Sequence, residues 1–315
     1  HGRSDNSSAL GLDVLGQIQD PNILQLVQSA FLATEVLVAE VEVPRTRTFP
    51  ELSLRLRLVA LDEATCLVIA EDMLEERRLD EVRRDFVANI SHELKTPIGA
   101  LSLLAEAMEH AEDHPEELLE FARKMRREAE RMADLVADVI DLSRVQDDQP
   151  ATRAVDVNVH ELIAAALEDV RTVAKAKQIE FAVGSATDLV LRGQREQLLT
   201  ALRNLLTNAV NYSDEGGRVA VGARLNDEWI DISVVDQGIG ISKADQERIF
   251  ERFYRVDPAR SRLTGGTGLG LAIVKHVCAS HGGECVVWSN PGDGSTFTMR
   301  LPAADSLGSD VRSAQ

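Results

Sequence analysis

What most limits the fold is a long stretch, from Asp72 to about Gln146, of charged helical sequence broken once, near Asp113, His114 and Pro115. Its second arm places Leu118, Phe121, Met125, Met132, Leu135, Val139 and Leu142 at helical spacings, so one stripe is apolar and the rest is solvated. Two such stripes joined by a short turn make an antiparallel helical hairpin. A hairpin by itself buries little apolar area, and pairing two of them into a four-helix bundle completes a core. The chain is therefore expected to form a homodimer.

The first arm carries FVANISHELKTPIGAL, Phe86 to Leu101. At about 100° per residue, Phe86, Val87, Ile90, Leu94, Ile98 and Leu101 fall roughly 120° to 240° around the helix from His92, and Thr96 only about 40° from it. His92 is thus expected to face solvent or a docking partner. A lone histidine is ordinarily a structural residue. One that stands opposite the apolar stripe, beside Glu93 and one turn from Thr96, has the groups that proton and phosphoryl transfer require. Pro97 removes the helical hydrogen bond to the Glu93 carbonyl and is expected to kink the helix just past His92.

The rest of the 315 residues are long enough for further domains with cores of their own. A formal net charge of −18 argues against a nucleic-acid or anionic-membrane surface. Three scattered cysteines, Cys66, Cys278 and Cys285, make neither a disulfide framework nor a zinc site. No apolar run is long enough to span a bilayer. The chain opens with His1 rather than Met, which suggests a fragment or a processed form and leaves room for a membrane part ahead of it.

Before the hairpin, Pro21 to Ala39 has a helical apolar pattern, and Glu35 to Val43 and Leu52 to Ala70 alternate like antiparallel strands. After it, Asp147 to Ala154 reads as a linker. Helices near 160–177 and 195–211 then alternate with strands near 180–183, 219–224, 229–235, 284–288 and 296–301, the order of an α/β sandwich. The fold class is multidomain α+β: a helix-and-strand α/β region over 1–75, the hairpin over 76–148, the sandwich over 149–303, and a polar tail over 304–315 expected to be disordered.

Four elements of the sandwich point to one ligand. In RNLLTNAVNYS, Asn204 and Asn208 lie one turn apart on one helix face, while Leu202, Leu205, Leu206 and Val210 serve the core. Asparagine is a poor helix-interior residue, so the pair suits polar work such as an amide oxygen on Mg²⁺. In VVDQGIGIS a strand delivers Asp236 into a turn with Gly238 and Gly240. The carboxylate can accept from an exocyclic amine, and glycines let backbone lie against a flat base. In GGTGLGLAIVKHV, Gly265, Gly266, Gly268 and Gly270 run into an amphipathic helix whose free N–H groups and dipole favour polyphosphate. The segment 253–264, with Arg255, Arg260 and Arg262, is long and cationic enough for a mobile lid. In GDGSTF, a turn entering a strand, Thr296 is expected to line the base pocket.

In this order the motifs resemble those of the sensor histidine kinases of two-component signalling. SHELKTP at 91–97 is similar to the phosphoacceptor motif, RNLLTNAVNYS to the asparagine motif, DQGIGIS and GGTGLGLAI to the glycine motifs, and IFERFYR at 249–255 to the phenylalanine motif. The likeness covers about 75–303. RRDFVANISHELKTPIGAL looks most like the membrane-tethered, phosphate-responsive kinases of actinobacteria, and residues 1–75 look like the later part of a PAS-type sensor domain.

The resemblance implies His92 as the phosphorylated residue, Glu93 as its base, and Thr96 as a group that positions water when a partner is dephosphorylated. It implies ATP and Mg²⁺, with Asn204 and Asn208 at metal and phosphates and Asn208 as the metal ligand. Asp236 would take the adenine amine, Tyr212 and Thr296 the base pocket, and Gly238, Gly240, Gly268 and Gly270 the loops around ATP. It implies a receiver domain of a response regulator as partner, and a cytoplasmic portion of a membrane-anchored sensor. Asn211 departs from the pattern, since many relatives carry lysine there. A clamp-type ATPase of the same nucleotide fold would explain the asparagine and glycine motifs but not SHELKTP or the hairpin. A signalling scaffold that binds ATP without transfer would need a lesion in the constellation, and none of its main positions is missing.

Overall fold

Helix α1 (Pro21–Leu32) begins on a proline whose fixed φ suits a first helical turn and whose missing N–H would be unpaired there anyway. Its Ile23, Leu26, Val27 and Ala30 lie on one stripe and close over Val41, Leu56 and Leu58. Those three come from an antiparallel sheet in the order β1 (Leu37–Val43), β2 (Leu52–Ala60), β3 (Cys66–Asp72). Alternation sends Leu54, Leu56 and Leu58 to the helix side, while Arg55 and Arg57 point away and meet Glu40 at 3.2 Å and Glu71 at 3.9 Å. The helical pattern read as far as Ala39 stops at Leu32, since Leu37–Val43 alternates with period two and joins the sheet.

This computed structural model describes residues 21–33, 35–43, 52–62, 65–110, 114–147, 154–186, 189–257 and 266–304. The chain divides into two compact units, 1–91 and 92–315, and the division falls within one helix, α2 (Leu74–Glu109). That helix continues unbroken through Pro97. The second arm is α3 (Pro115–Asp147), with Leu135, Leu142 and Val145 buried and Leu119, Val136 and Ile140 exposed. The hairpin break, the Asp147–Ala154 linker and the 304–315 tail fall largely outside the described residues. Among the described residues, no helix is long and apolar enough to cross a membrane.

The sandwich is built on a five-stranded sheet in the order β5 (Glu180–Val183), β7 (Arg218–Asn226), β8 (Trp229–Asp236), β10 (Gly294–Pro302), β9 (Glu284–Asn290). Only the β5–β7 pair is parallel. Helices α4 (Val159–Ala176), α5 (Arg195–Tyr212) and α6 (Gly270–Ser280) provide the buried Leu162, Ile163, Leu202, Leu206, Ile273 and Val277. From the strands come Val219, Ile232, Val234 and Met299. The opposite sheet face leaves Trp288 62% exposed. A small antiparallel pair, β4 (Val155–Asn158) with β6 (Val190–Gly193), was not legible beforehand, because four residues are too few to show a period. It delivers Asn158, whose side chain accepts from Glu161 N at 3.1 Å and caps α4.

His281, just past α6, ties this layer together. Its Nδ1–H donates to the Val277 carbonyl at 2.8 Å, which leaves Nε2 to accept from Gln194 N at 3.1 Å, at the start of α5. Gly193 makes room, since a Cβ there would stand 2.4 Å from the imidazole. Burial pushes the imidazole below its ordinary value, against the opposing effect of the Val277 bond. A depressed folded value means that the unfolded chain takes up the proton first, so stability is lost as pH falls below the ordinary imidazole range. Between about pH 7.5 and 5.5 the urea midpoint of unfolding should drop, and His281→Gln should show a shallower pH dependence over the same window. Equal slopes in the two proteins would contradict the assignment.

Candidate functional site

Along α5 burial repeats in pairs: Leu205, Leu206, Ala209 and Val210 are buried, while Arg203, Asn204, Thr207, Asn208, Asn211 and Tyr212 form the opposite strip. That strip lines a cavity of about 610 Å³, with Asp236, Gly240, Gly268, Gly270, Ser295 and Phe297 on its other walls. Asn204 Nδ2 donates to the Thr200 carbonyl at 2.9 Å, turning Oδ1 toward Gly270, where a Cβ would stand 2.6 Å away. Asn208 has no hydrogen-bond partner among the described residues, and its amide is available to the cavity. Where a lysine was missing at Asn211, the backbone carbonyls of Val210 and Asn211 accept from Lys177 Nζ at 2.9 and 2.7 Å, which satisfies the end of α5.

Asp236 ends β8 and is buried. Its Oδ1 accepts from Gly238 N at 2.8 Å and from Ser295 N at 3.2 Å, and Oδ2 has no partner among the described residues. Burial raises the carboxyl above the ordinary aspartate range, and the two backbone bonds oppose the rise. The turn after it is tightly wedged. A Cβ on Gly238 would meet the Tyr212 carbonyl at 2.5 Å. Gly240 has φ +69°, and a Cβ there would stand 1.8 Å from the Asn290 carbonyl, so only glycine fits.

The glycine loop and the phenylalanine motif interlock. Phe253 holds φ +62° and its N–H donates to the Gly268 carbonyl at 2.9 Å, while Gly268 itself has φ +77°. A left-handed conformation at a phenylalanine costs about 1–2 kcal/mol and persists only where its surroundings fix it. Gly265, Arg260 and Arg262 lie outside the described residues. Phe250 packs edge-on to Phe297, with ring centroids 6.5 Å apart.

Thr296 needs correcting: it falls on the sheet face opposite the cavity, paired with Val235 and Trp288, while its neighbours Ser295 and Phe297 line the cavity. The turn motif points to the right strand, and the alternation along β10 sends Ser295 and Phe297 rather than Thr296 to the cavity. Also missed were Asp134, Asp138 and Asp141 of α3, which close one side of the cavity. Asp138 accepts a hydrogen bond from the Thr267 hydroxyl in the glycine loop, and Asp141 accepts from Arg203 at 2.9 Å. Burial raises the Asp138 carboxyl, opposed by the Thr267 bond and helped by Asp141. The signal was present as three acids at helical spacing, but on the face opposite the stripe they read as solvated.

His92, Glu93 and Thr96 do not line the cavity. His92 is exposed, and the Thr96 hydroxyl donates to its carbonyl at 3.3 Å. Glu93 stands 3.6 Å from Arg131 of α3 and shares a small second cavity with Pro97, Arg131 and Thr267.

Residues 82–148 match the His Kinase A (phospho-acceptor) domain, and 193–305 match the histidine kinase-, DNA gyrase B- and HSP90-like ATPase. Between them the matches cover more than half of the chain. Sensor-like histidine kinase SenX3 of Mycobacterium tuberculosis is 47% identical over 242 residues, 77% of this chain and 59% of that protein. The phosphate regulon sensor protein PhoR of Pseudomonas aeruginosa is 34% identical over 240 residues, 76% of this chain and 54% of that protein. The chain thus spans about three fifths of SenX3. Among solved structures, histidine kinase ThkA in complex with response regulator protein TrrA is similar over 90% of this chain and 84% of that one, with TM-score 0.58. At 19% identity that likeness speaks to the fold alone. With a His Kinase A (phospho-acceptor) domain and this ATPase domain matched in one chain, and a 47% identical relative named as a sensor-like histidine kinase, the protein belongs to the sensor histidine kinases of two-component signalling.

Proposed function

We propose that the chain transfers the γ-phosphoryl group of ATP to His92 and passes it on to an aspartate of a response regulator's receiver domain. The observation that carries this reading is the cavity itself. It joins an amine acceptor, Asp236 Oδ2, to a glycine-lined helix start at Gly270 and to the unpaired amide of Asn208. The residues fit the ligand. Asp236 would take the exocyclic amine, Tyr212 and Phe297 the base, and Gly268 and Gly270 the phosphates at the start of α6. Asn208 Oδ1 is a hard oxygen donor suited to Mg²⁺, which would neutralise phosphate charge when bound.

His92 attacks in line: a nitrogen–phosphorus bond forms as the bond to the departing diphosphate oxygen breaks. Glu93 takes the proton from the other ring nitrogen. Thr96 lies one turn from His92, where a hydroxyl can orient water for the reverse task of dephosphorylating the regulator. In the arrangement described here His92 is outside the cavity, so transfer requires the contacts of Asp138 and Asp141 with the sandwich to give way. The exposed Leu119, Val136 and Ile140 of α3 support a second hairpin packed against the first, and hence a homodimer. The three-stranded sheet with one helix supports a PAS-like reading of the first unit. Likeness to PhoR, named a phosphate regulon sensor protein, supports a phosphate-responsive kinase, and the family resemblance extends the proposal to a membrane-anchored whole protein. A clamp-type ATPase is disfavoured, because it has no use for the acceptor hairpin.

Incubated with Mg²⁺ and γ-labelled ATP, the chain should take up label that is acid-labile and alkali-stable, and His92→Gln should take up none. ATP binding without label in either protein would overturn the reading. Asp236→Asn should weaken binding of a non-hydrolysable ATP analogue by about tenfold or more, the loss of one charge-assisted hydrogen bond. Asp138→Asn should tighten it by about fivefold, because one like charge beside the phosphates is worth on the order of 1 kcal/mol at a partly screened site. Both are read by calorimetry, and unchanged affinity in either variant would contradict its placement.

A further inference from the structure

Glu93 is an awkward base. It follows His92 directly, about 100° around the helix, it is a third exposed, and its three side-chain torsions leave it many solvent-facing rotamers. A proton acceptor for an imidazole has to be held in place. Among the described residues, its charged partner comes from the other arm of the hairpin. Arg131 Nη2 stands 3.6 Å from Glu93 Oε2, and the Arg131 side chain is only 16% exposed. Its own position is set by Glu128, 4.0 Å from Nη1, and by packing with Pro97, Met132 and Leu135 around the small cavity they share.

We propose that Arg131 is a positioning residue for phosphorylation of His92: it anchors one oxygen of Glu93 and leaves the other free to accept the ring proton. This rests on the reading of Glu93 as the base. Several features argue for a positioning task rather than a merely stabilising one. A partly exposed ion pair at this separation contributes little to stability. Yet this one involves a guanidinium largely withdrawn from water, placed against the single carboxylate adjacent to the acceptor histidine. Oε1 of Glu93 and the His92 ring have no partner among the described residues, so the anchored carboxylate keeps one lone pair for the reaction. The small cavity is also lined by Thr267 of the glycine loop, so Arg131 occupies the side of Glu93 from which that loop reaches the hairpin. Fixing a base through a cation on a neighbouring helix uses two rigid elements instead of a loop, the more accurate way to hold a reacting group.

The test is a double-mutant cycle on autophosphorylation of the whole chain, with thermal unfolding as a control for fold. Arg131→Ala should lower the maximal rate by about tenfold or more and leave the KM for ATP unchanged. Arg131→Lys should recover part of the rate, since a single cation beside the carboxylate suffices to attract one oxygen. In a Glu93→Gln background, Arg131→Ala should cause no further loss, because its effect runs through the carboxylate. A wild-type rate in Arg131→Ala, or the same factor of loss in both backgrounds, would overturn the proposal. If Glu93→Gln alone phosphorylates at the wild-type rate, it is the base assignment that fails, and the role of Arg131 with it.

Discussion

The site depends on one buried carboxylate at the meeting point of three elements. Asp236 ends β8, binds the backbone N–H of the turn that follows it, and binds the N–H of Ser295 at the entry to β10. Burying a carboxylate is costly unless its oxygens are paired. Here one oxygen is paired twice and the other is not, which fixes the turn and aims an acceptor into the cavity. The Gly240 wedge against Asn290 follows from the same arrangement, because the turn can close over Asp236 only where no side chain intervenes. Ser289 extends the network: its hydroxyl accepts from Ile241 N at 2.8 Å and donates to the Gly294 carbonyl at 2.7 Å.

Helix α3 belongs to two structures at once. One stripe meets α2, where Arg131 faces Glu93, and another carries Asp138 and Asp141 to the glycine loop and to α5. A third, with Val136 and Ile140, is exposed. The acids that hold Thr267 and Arg203 carry the same sign of charge as a polyphosphate and line the same cavity. His276 strengthens the docking through its bond to the Val145 backbone; burial depresses its imidazole, and that bond opposes the shift. Pro97 sits inside α2, which runs through it without interruption.

Most of the fold and much of the site could be read from the residues, and the failures have physical causes. Long periodic helices and five strands of the sandwich lay where alternation and spacing placed them, because each buries one face. Asn204, Asn208, Tyr212, Asp236, Gly240, Gly268 and Gly270 come together as the motifs implied. Thr296 was misplaced by one residue, an error of phase that moves a side chain to the opposite sheet face. Asp138, Asp141 and Arg131 were invisible because their partners lie far away in sequence, and a charged residue on a helix looks solvated until its neighbour is known. The four-residue strands β4 and β6 gave no period at all.

The most direct measurement is mass-spectrometric mapping of the phosphate after reaction with Mg²⁺-ATP, with digestion and separation at neutral to alkaline pH so that a phosphoramidate survives. The account expects the modification on His92 alone among the seven histidines. Phosphate on another residue, or ATP turnover to free phosphate with His92 unmodified throughout, would contradict it.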